Sequence, residues 1–158
     1  MAITNYTSFS KVYESFFGKI TDDMYMEWTI EDTQKDLYNI FVDALPNFEF
    51  PRFSLYDFDE TSYNIKLTSE EVNILALLMY NVWLQRQIAS IEHIRMKYSG
   101  SDFKMTSQAN HLDKLLKLKQ EAERQSLHMQ RLYKRRKLNA DGTISSNWGS
   151  IMEESVLS

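Results

Sequence analysis

The sequence predicts an all-α protein, a small helical bundle dominated by a long antiparallel helical hairpin, and three observations carry that prediction. Glycine and proline are scarce, 4 and 2 residues in a chain of 158, too few to punctuate the many turns of a sandwich or barrel. Apolar residues recur at three-to-four spacing through most of the chain, the period of a helix with one buried face. Thr68-Ser69-Glu70-Glu71 forms a capping box just ahead of the densest apolar stretch. Such a box marks a helix start because its hydroxyl and carboxylate satisfy each other's unpaired backbone N–H groups. At 43% hydrophobic and 25% charged residues the composition is that of a folded chain, and the length suits one domain.

Taken in order, Tyr6, Phe9, Val12 or Tyr13, and Phe16 at three-to-four spacing predict a short amphipathic helix over 6–17, ended by Gly18. A second helix is expected over 30–45. Thr29 caps it, Glu31 and Asp32 suit its positive end, and Leu37, Ile40, Phe41, Ala44 and Leu45 form its apolar face before Pro46 stops it. Residues 47–67 carry Phe48, Phe50, Phe53, Tyr56, Phe58 and Tyr63 with no helical period. They read as an irregular aromatic crossover loop whose rings cover the core, with room for a short strand at 63–67. The capping box then opens a long helix over 68–98, closed by Ser99-Gly100. Its apolar residues, from Val72 to Ile94, cover more than one stripe and make it the central helix. A last helix over 107–137 shows only a narrow seam of Leu115, Leu118, Ala122, Met129 and Leu132. Asn139-Ala140-Asp141-Gly142 is a turn, and an extended tail follows.

This divides the chain into a helical domain, 1–138, and a C-terminal arm, 139–158. Trp148, Ile151, Met152, Val156 and Leu157 sit on that arm among Gly and Ser, and apolar side chains so placed read as anchors for a partner's groove. At about 1.5 Å per residue the last two helices each reach roughly 40–50 Å. A compact chain of this size measures about 40 Å across. Their ends are therefore expected to protrude or to pack against neighbouring subunits.

Charge is unevenly distributed. Residues 1–71 hold 14 Asp and Glu against 5 Lys and Arg, residues 72–137 hold 5 against 13, and the last stretch holds 3 acids and no base. An acidic front and a basic back allow head-to-tail association of copies. The basic residues concentrate on the last helix as Lys114, Lys117, Lys119, Arg124, Arg131, Lys134, Arg135, Arg136 and Lys137, a density that suits phosphate contacts or an acidic protein surface. Tyr133 is the one aromatic among the last five, so stacking on single strands is disfavoured, and no helix-turn-helix pattern accompanies them.

Signals for chemistry are few. The chain has no cysteine, which excludes disulfides and thiolate chemistry. His93, His111 and His128 have neither a carboxylate nor another His three or four residues away, so no helical metal pair is expected. Gly-rich phosphate loops, nucleophile elbows and zincin motifs do not occur. Neither a cofactor nor an enzymatic activity is expected. The N-terminal residues lack the basic and apolar regions of a signal peptide, and the apolar run at 74–84 is far short of a membrane span.

One set of patterns goes further. Glu31-Asp32 with Leu37-Tyr38-Asn39-Ile40-Phe41, the crossover Phe48-Glu49-Phe50-Pro51, and Leu67-Thr68-Ser69-Glu70-Glu71 followed by Trp83-Leu84 are three parts of it. The fourth is Ser101-Asp102-Phe103-Lys104 with Ser107-Gln108-Ala109-Asn110-His111-Leu112. Over residues 25–136 the chain resembles the head–tail adaptor, or connector, proteins of tailed bacteriophages. The resemblance implies a structural virion protein, a subunit of a homo-oligomeric ring, commonly a dodecamer, in the neck between portal and tail. It implies portal and adjoining neck or tail proteins as partners, and non-specific contact with passing double-stranded DNA. Assembly would take place in the host cytoplasm, away from any membrane. The helical hairpin would form the subunit body, the basic residues of the last helix would face the DNA channel or an acidic neighbouring ring, and the arm 139–158 would dock. The alternative is a phage-encoded helical DNA-binding or scaffolding protein.

Overall fold

Hydroxyl groups start the first two helices. Ser8 Oγ accepts the Ser10 N–H at 3.3 Å, and Thr29 Oγ1 accepts the Asp32 N–H at 3.1 Å, each satisfying one donor that the first helical turn leaves open. In the computed structural model, which describes residues 6–20, 27–97 and 102–146, four helices dominate: α1 (Phe9–Phe17), α2 (Ile30–Ala44), α3 (Ser69–Lys97) and α4 (Asp102–Lys134). A 3-10 turn, Leu45–Asn47, extends α2 with Pro46 inside it. Two short antiparallel pairs complete the fold. β1 (Thr7–Ser8) meets β2 (Ser62–Tyr63), and β3 (Arg136–Leu138) meets β4 (Ile144–Ser146).

The central helix is α3, with α1, α2 and α4 all packed on it. Its capping box forms as expected: Glu71 Oε2 accepts the Thr68 N–H at 2.7 Å and Thr68 Oγ1 accepts the Glu71 N–H at 3.2 Å. Residues 74–79 are buried without interruption, joined by Trp83, Leu84 and Ile88. Burial all round a helix requires neighbours on every side. Arg86 ties α2 to α3 by pairing with Asp36 at 3.1 Å and Asp43 at 2.8 Å. Lys19 donates to Asn73 Oδ1 at 2.9 Å, joining the end of α1 to α3.

α3 and α4 run antiparallel, since Glu71 at the start of one bonds Tyr133 at the end of the other, and Asn73 meets Met129. The face α4 presents differs from the seam read in the sequence. Leu112, Leu115, Ala122, Ser126, Gln130 and Tyr133 are buried, whereas Leu118 is exposed and Met129 and Leu132 are only half-buried. The true stripe has nearly the heptad period of paired helices, but two of its positions are polar. The helix also begins at Asp102, earlier than expected, and ends at Lys134.

Arg136 and Lys137 therefore lie on a strand. The turn at 139–142 closes a β-hairpin in place of opening a free tail: Asn139 N–H reaches the Thr143 carbonyl at 2.9 Å, and Gly142 takes φ 84°, where a side chain would be strained. Trp148, Ile151, Met152, Val156 and Leu157 lie outside the described residues, as do Ser99 and Gly100.

The crossover packs largely as expected. Phe48 and Tyr63 are buried and Phe53 and Phe58 half-buried, but Phe50 and Tyr56 are exposed. Phe9, Phe41, Phe58 and Tyr63 form a cluster with centroids 4.7–6.0 Å apart, mostly edge-to-face, the arrangement that the ring quadrupole favours. The strand in this loop is Ser62–Tyr63, at the start of the stretch expected to hold one.

Candidate nucleic-acid interface

Helical geometry sorts the basic residues of α4. Lys117, Arg124 and Arg131 are seven residues apart, so they stand on one line of the helix, roughly 10 Å from each to the next. All three are exposed, as are Lys114 before them and Arg135 just past the helix end. This outer ridge lies opposite the face that packs on α3. Lys114, Lys117 and Arg131 make no ion pair among the described residues. Arg124 pairs with Glu121 at 2.8 Å, and this neighbour raises the guanidinium's pKa. An exposed pair of this kind contributes little to stability, so it leaves Arg124 available.

Lys119 does not belong to the ridge. It is half-buried on the inner side, pairs with Glu123 and lines a groove of about 760 Å³ between α2, α3 and α4. That groove mixes Asp43, Glu49, Arg86, Lys119 and Glu123 with Leu78, Val82 and Leu127, three carboxylates against two cations, and so does not extend the basic face.

The structure gathers Lys134, Arg136 and Lys137 at the carboxyl end of α4, around a cavity of about 340 Å³. Its remaining walls are Phe50 and Arg52 from the crossover loop, Tyr133 from α4 and Leu138 from β3. The Lys134 ammonium sits 4.0 Å from the centroid of the Phe50 ring, a cation–π contact. Arg136 reaches Glu70 at 2.9 Å. The guanidinium of Arg52 lies over the Tyr133 ring at 3.9 Å and donates through Nη2 to the Tyr133 carbonyl at 2.7 Å. Its other terminal nitrogen, Nη1, is buried with no hydrogen-bond partner among the described residues.

Tyr133 anchors this end. Its hydroxyl donates to Glu71 Oε1 at 2.8 Å and accepts the Arg52 N–H at 2.9 Å. Burial pushes its pKa well above the usual tyrosine range, and the Glu71 carboxylate adds to the rise. One turn earlier, Gln130 accepts the Glu49 N–H at 2.8 Å and donates to the Asn47 carbonyl at 3.3 Å. The crossover loop is thereby clasped to α4 by two side chains, which sets Phe50 and Arg52 beside the basic cluster.

Arg52, Phe50 and Tyr133 share this face with the basic residues, though no local pattern in the sequence places them there. A signal existed for Arg52, one of only five cations among the first 71 residues and flanked by Pro51 and Phe53. Among the described residues no group of three or more His, Asp and Glu side chains is placed to hold a metal ion, and no helix is long and apolar enough to cross a membrane. Compared with protein-family models, curated proteins and solved structures, the chain matches none.

Proposed function

We propose that this chain is a subunit of an oligomeric ring that joins portal to tail in the neck of a tailed phage and lines part of its DNA channel. The observation that supports this reading is the α3–α4 hairpin. Its two helices, 29 and 33 residues long, outreach the body packed around them. Among the described side chains, none on α3 is buried beyond Ile88, and the first buried one on α4 is Leu112. Ile94 and Met96 are exposed on that projecting end. Exposed apolar side chains at a helical end are suited to burial against another subunit.

The outer ridge of α4 then has a role. Cations spaced along one line hold a duplex through its phosphates without reading sequence, and contacts of that kind are broken and remade as the duplex slides. Electron microscopy of the purified protein, alone and with portal, tests the proposal. Closed rings are expected, and a species that light scattering finds monomeric under both conditions overturns it. The same ridge supports a second reading, a helical DNA-binding or scaffolding protein. In that case the monomer itself binds duplex, with affinity falling steeply as salt rises.

A further inference from the structure

We infer that the cavity at the carboxyl end of α4 seats a phosphate group, a phosphodiester of the duplex; the inference rests on the DNA-channel reading above. Four cations from three elements converge there: Arg52 from the crossover loop, Lys134 from α4, and Arg136 and Lys137 from β3. No carboxylate lines the cavity. Glu70 and Glu71 stand behind it, each already bonded, to Arg136 and to Tyr133, and they leave an excess of positive charge.

The kinds of cation indicate the ligand. A guanidinium presents a planar fork that matches two oxygens of a phosphate, and an ammonium adds a point charge with no fixed geometry. Two of each surround this cavity. Arg52 Nη1 is a donor that the fold leaves unmet, which is uncommon for a buried polar atom. One carboxylate from an acidic protein would engage a single fork and leave the two ammonium groups without an acidic partner. A phosphodiester strand brings a charge to the cavity and further charges to either side. The cavity also adjoins the end of the ridge, since Lys134, one of its walls, follows Arg131 by one turn of α4. From Lys117 the line of cations runs about 20 Å to Arg131 and ends beside the cavity. This adjacency favours a polyanion over an isolated acidic side chain.

Paired substitutions that remove equal charge test the seat. Lys134→Gln with Lys137→Gln empties the cavity of its two ammonium groups, and Lys114→Gln with Lys117→Gln removes as much charge from the ridge. Binding of a labelled duplex of about 20 base pairs is followed by anisotropy across a range of salt. The cavity pair should weaken binding about tenfold more than the ridge pair, with the helical circular-dichroism signal unchanged in both. Equal losses overturn the seat, as does polyglutamate competing as well as unlabelled duplex. Inorganic phosphate alone, followed through the Lys134 and Lys137 amide shifts, should saturate more weakly than duplex; saturation by phosphate with no duplex affinity overturns the duplex as its source. Rings that bind neither duplex nor phosphate refute the seat and leave the ring reading standing. Duplex binding through the cavity by a chain that stays monomeric with portal refutes the ring and leaves the seat standing.

Discussion

Tyr133 shows how one buried hydroxyl can hold three segments together. It bonds Glu71 in α3 and the backbone of Arg52 in the crossover loop, while its ring packs edge-on against Phe48 at 5.5 Å and under the Arg52 guanidinium. Tyr133→Phe keeps the ring but strands the Glu71 oxygen and the Arg52 N–H, which should cost about 2–3 kcal/mol near neutrality, measured by urea unfolding. The cost should depend on pH. In the folded protein the hydroxyl stays protonated well above its ordinary value of 10.0 because burial disfavours the phenolate. In the unfolded chain it ionises near that value. Its contribution is therefore complete below pH 10 and declines as the pH rises past it. The phenylalanine variant lacks this dependence, so the gap between the two proteins should narrow at about pH 11. A gap that stays constant would show that the hydroxyl is not held protonated by the fold.

Among the elements, α4 is the least legible in the sequence, for a physical reason. Helices whose buried positions are apolar, such as α2 with Leu37, Ile40, Phe41 and Ala44, were legible from hydropathy and capping residues alone. On α4 the contact stripe includes Ser126 and Gln130, which are 3% and 6% exposed. Polar residues at contact positions do not register in a hydropathy pattern, and the neighbouring exposed leucines, Leu118 among them, drew the seam off its true line. What makes Gln130 a core residue is a partner 81 residues away, the Glu49 N–H, and no local pattern contains that information. Arg52 was missed in the same way, since its place at the basic cavity depends on the clasp that Gln130 and Tyr133 provide. Gln130→Leu should therefore act on the loop more than on the helix. About 1–2 kcal/mol of stability is expected to be lost, with faster amide exchange at 47–52 and little change along α3. Equal acceleration in both would mean that the side chain supports the helix pair and not the loop.

For the whole molecule, the division of charge and the division of burial coincide with different parts of the fold. The acidic front half supplies α1, α2 and the crossover, which wrap the proximal part of α3. The basic back half supplies α4, with its ridge outermost. Beyond Ile91, which still packs against the core, the described side chains of α3 are exposed, and Leu112 is the first buried one among those described on α4. On α3 the six residues 92–97, roughly 9 Å of helix, thus extend past its last core contact. Apolar burial is the main source of stability, so this projection contributes little to folding of a single chain. If the ring reading holds, it contributes to assembly. Replacing residues 92–110 with a short glycine-containing turn separates the two roles, because positions 91 and 111 face each other across the antiparallel pair, as the Asn73–Met129 contact sets the register. The shortened protein should unfold within about 1 kcal/mol of the full chain and should no longer form rings in the microscope. Assembly that survives the deletion would place the subunit contacts on the body, along its acidic α1–α2 side. A large drop in stability would show that the projection belongs to the core of the chain that carries it.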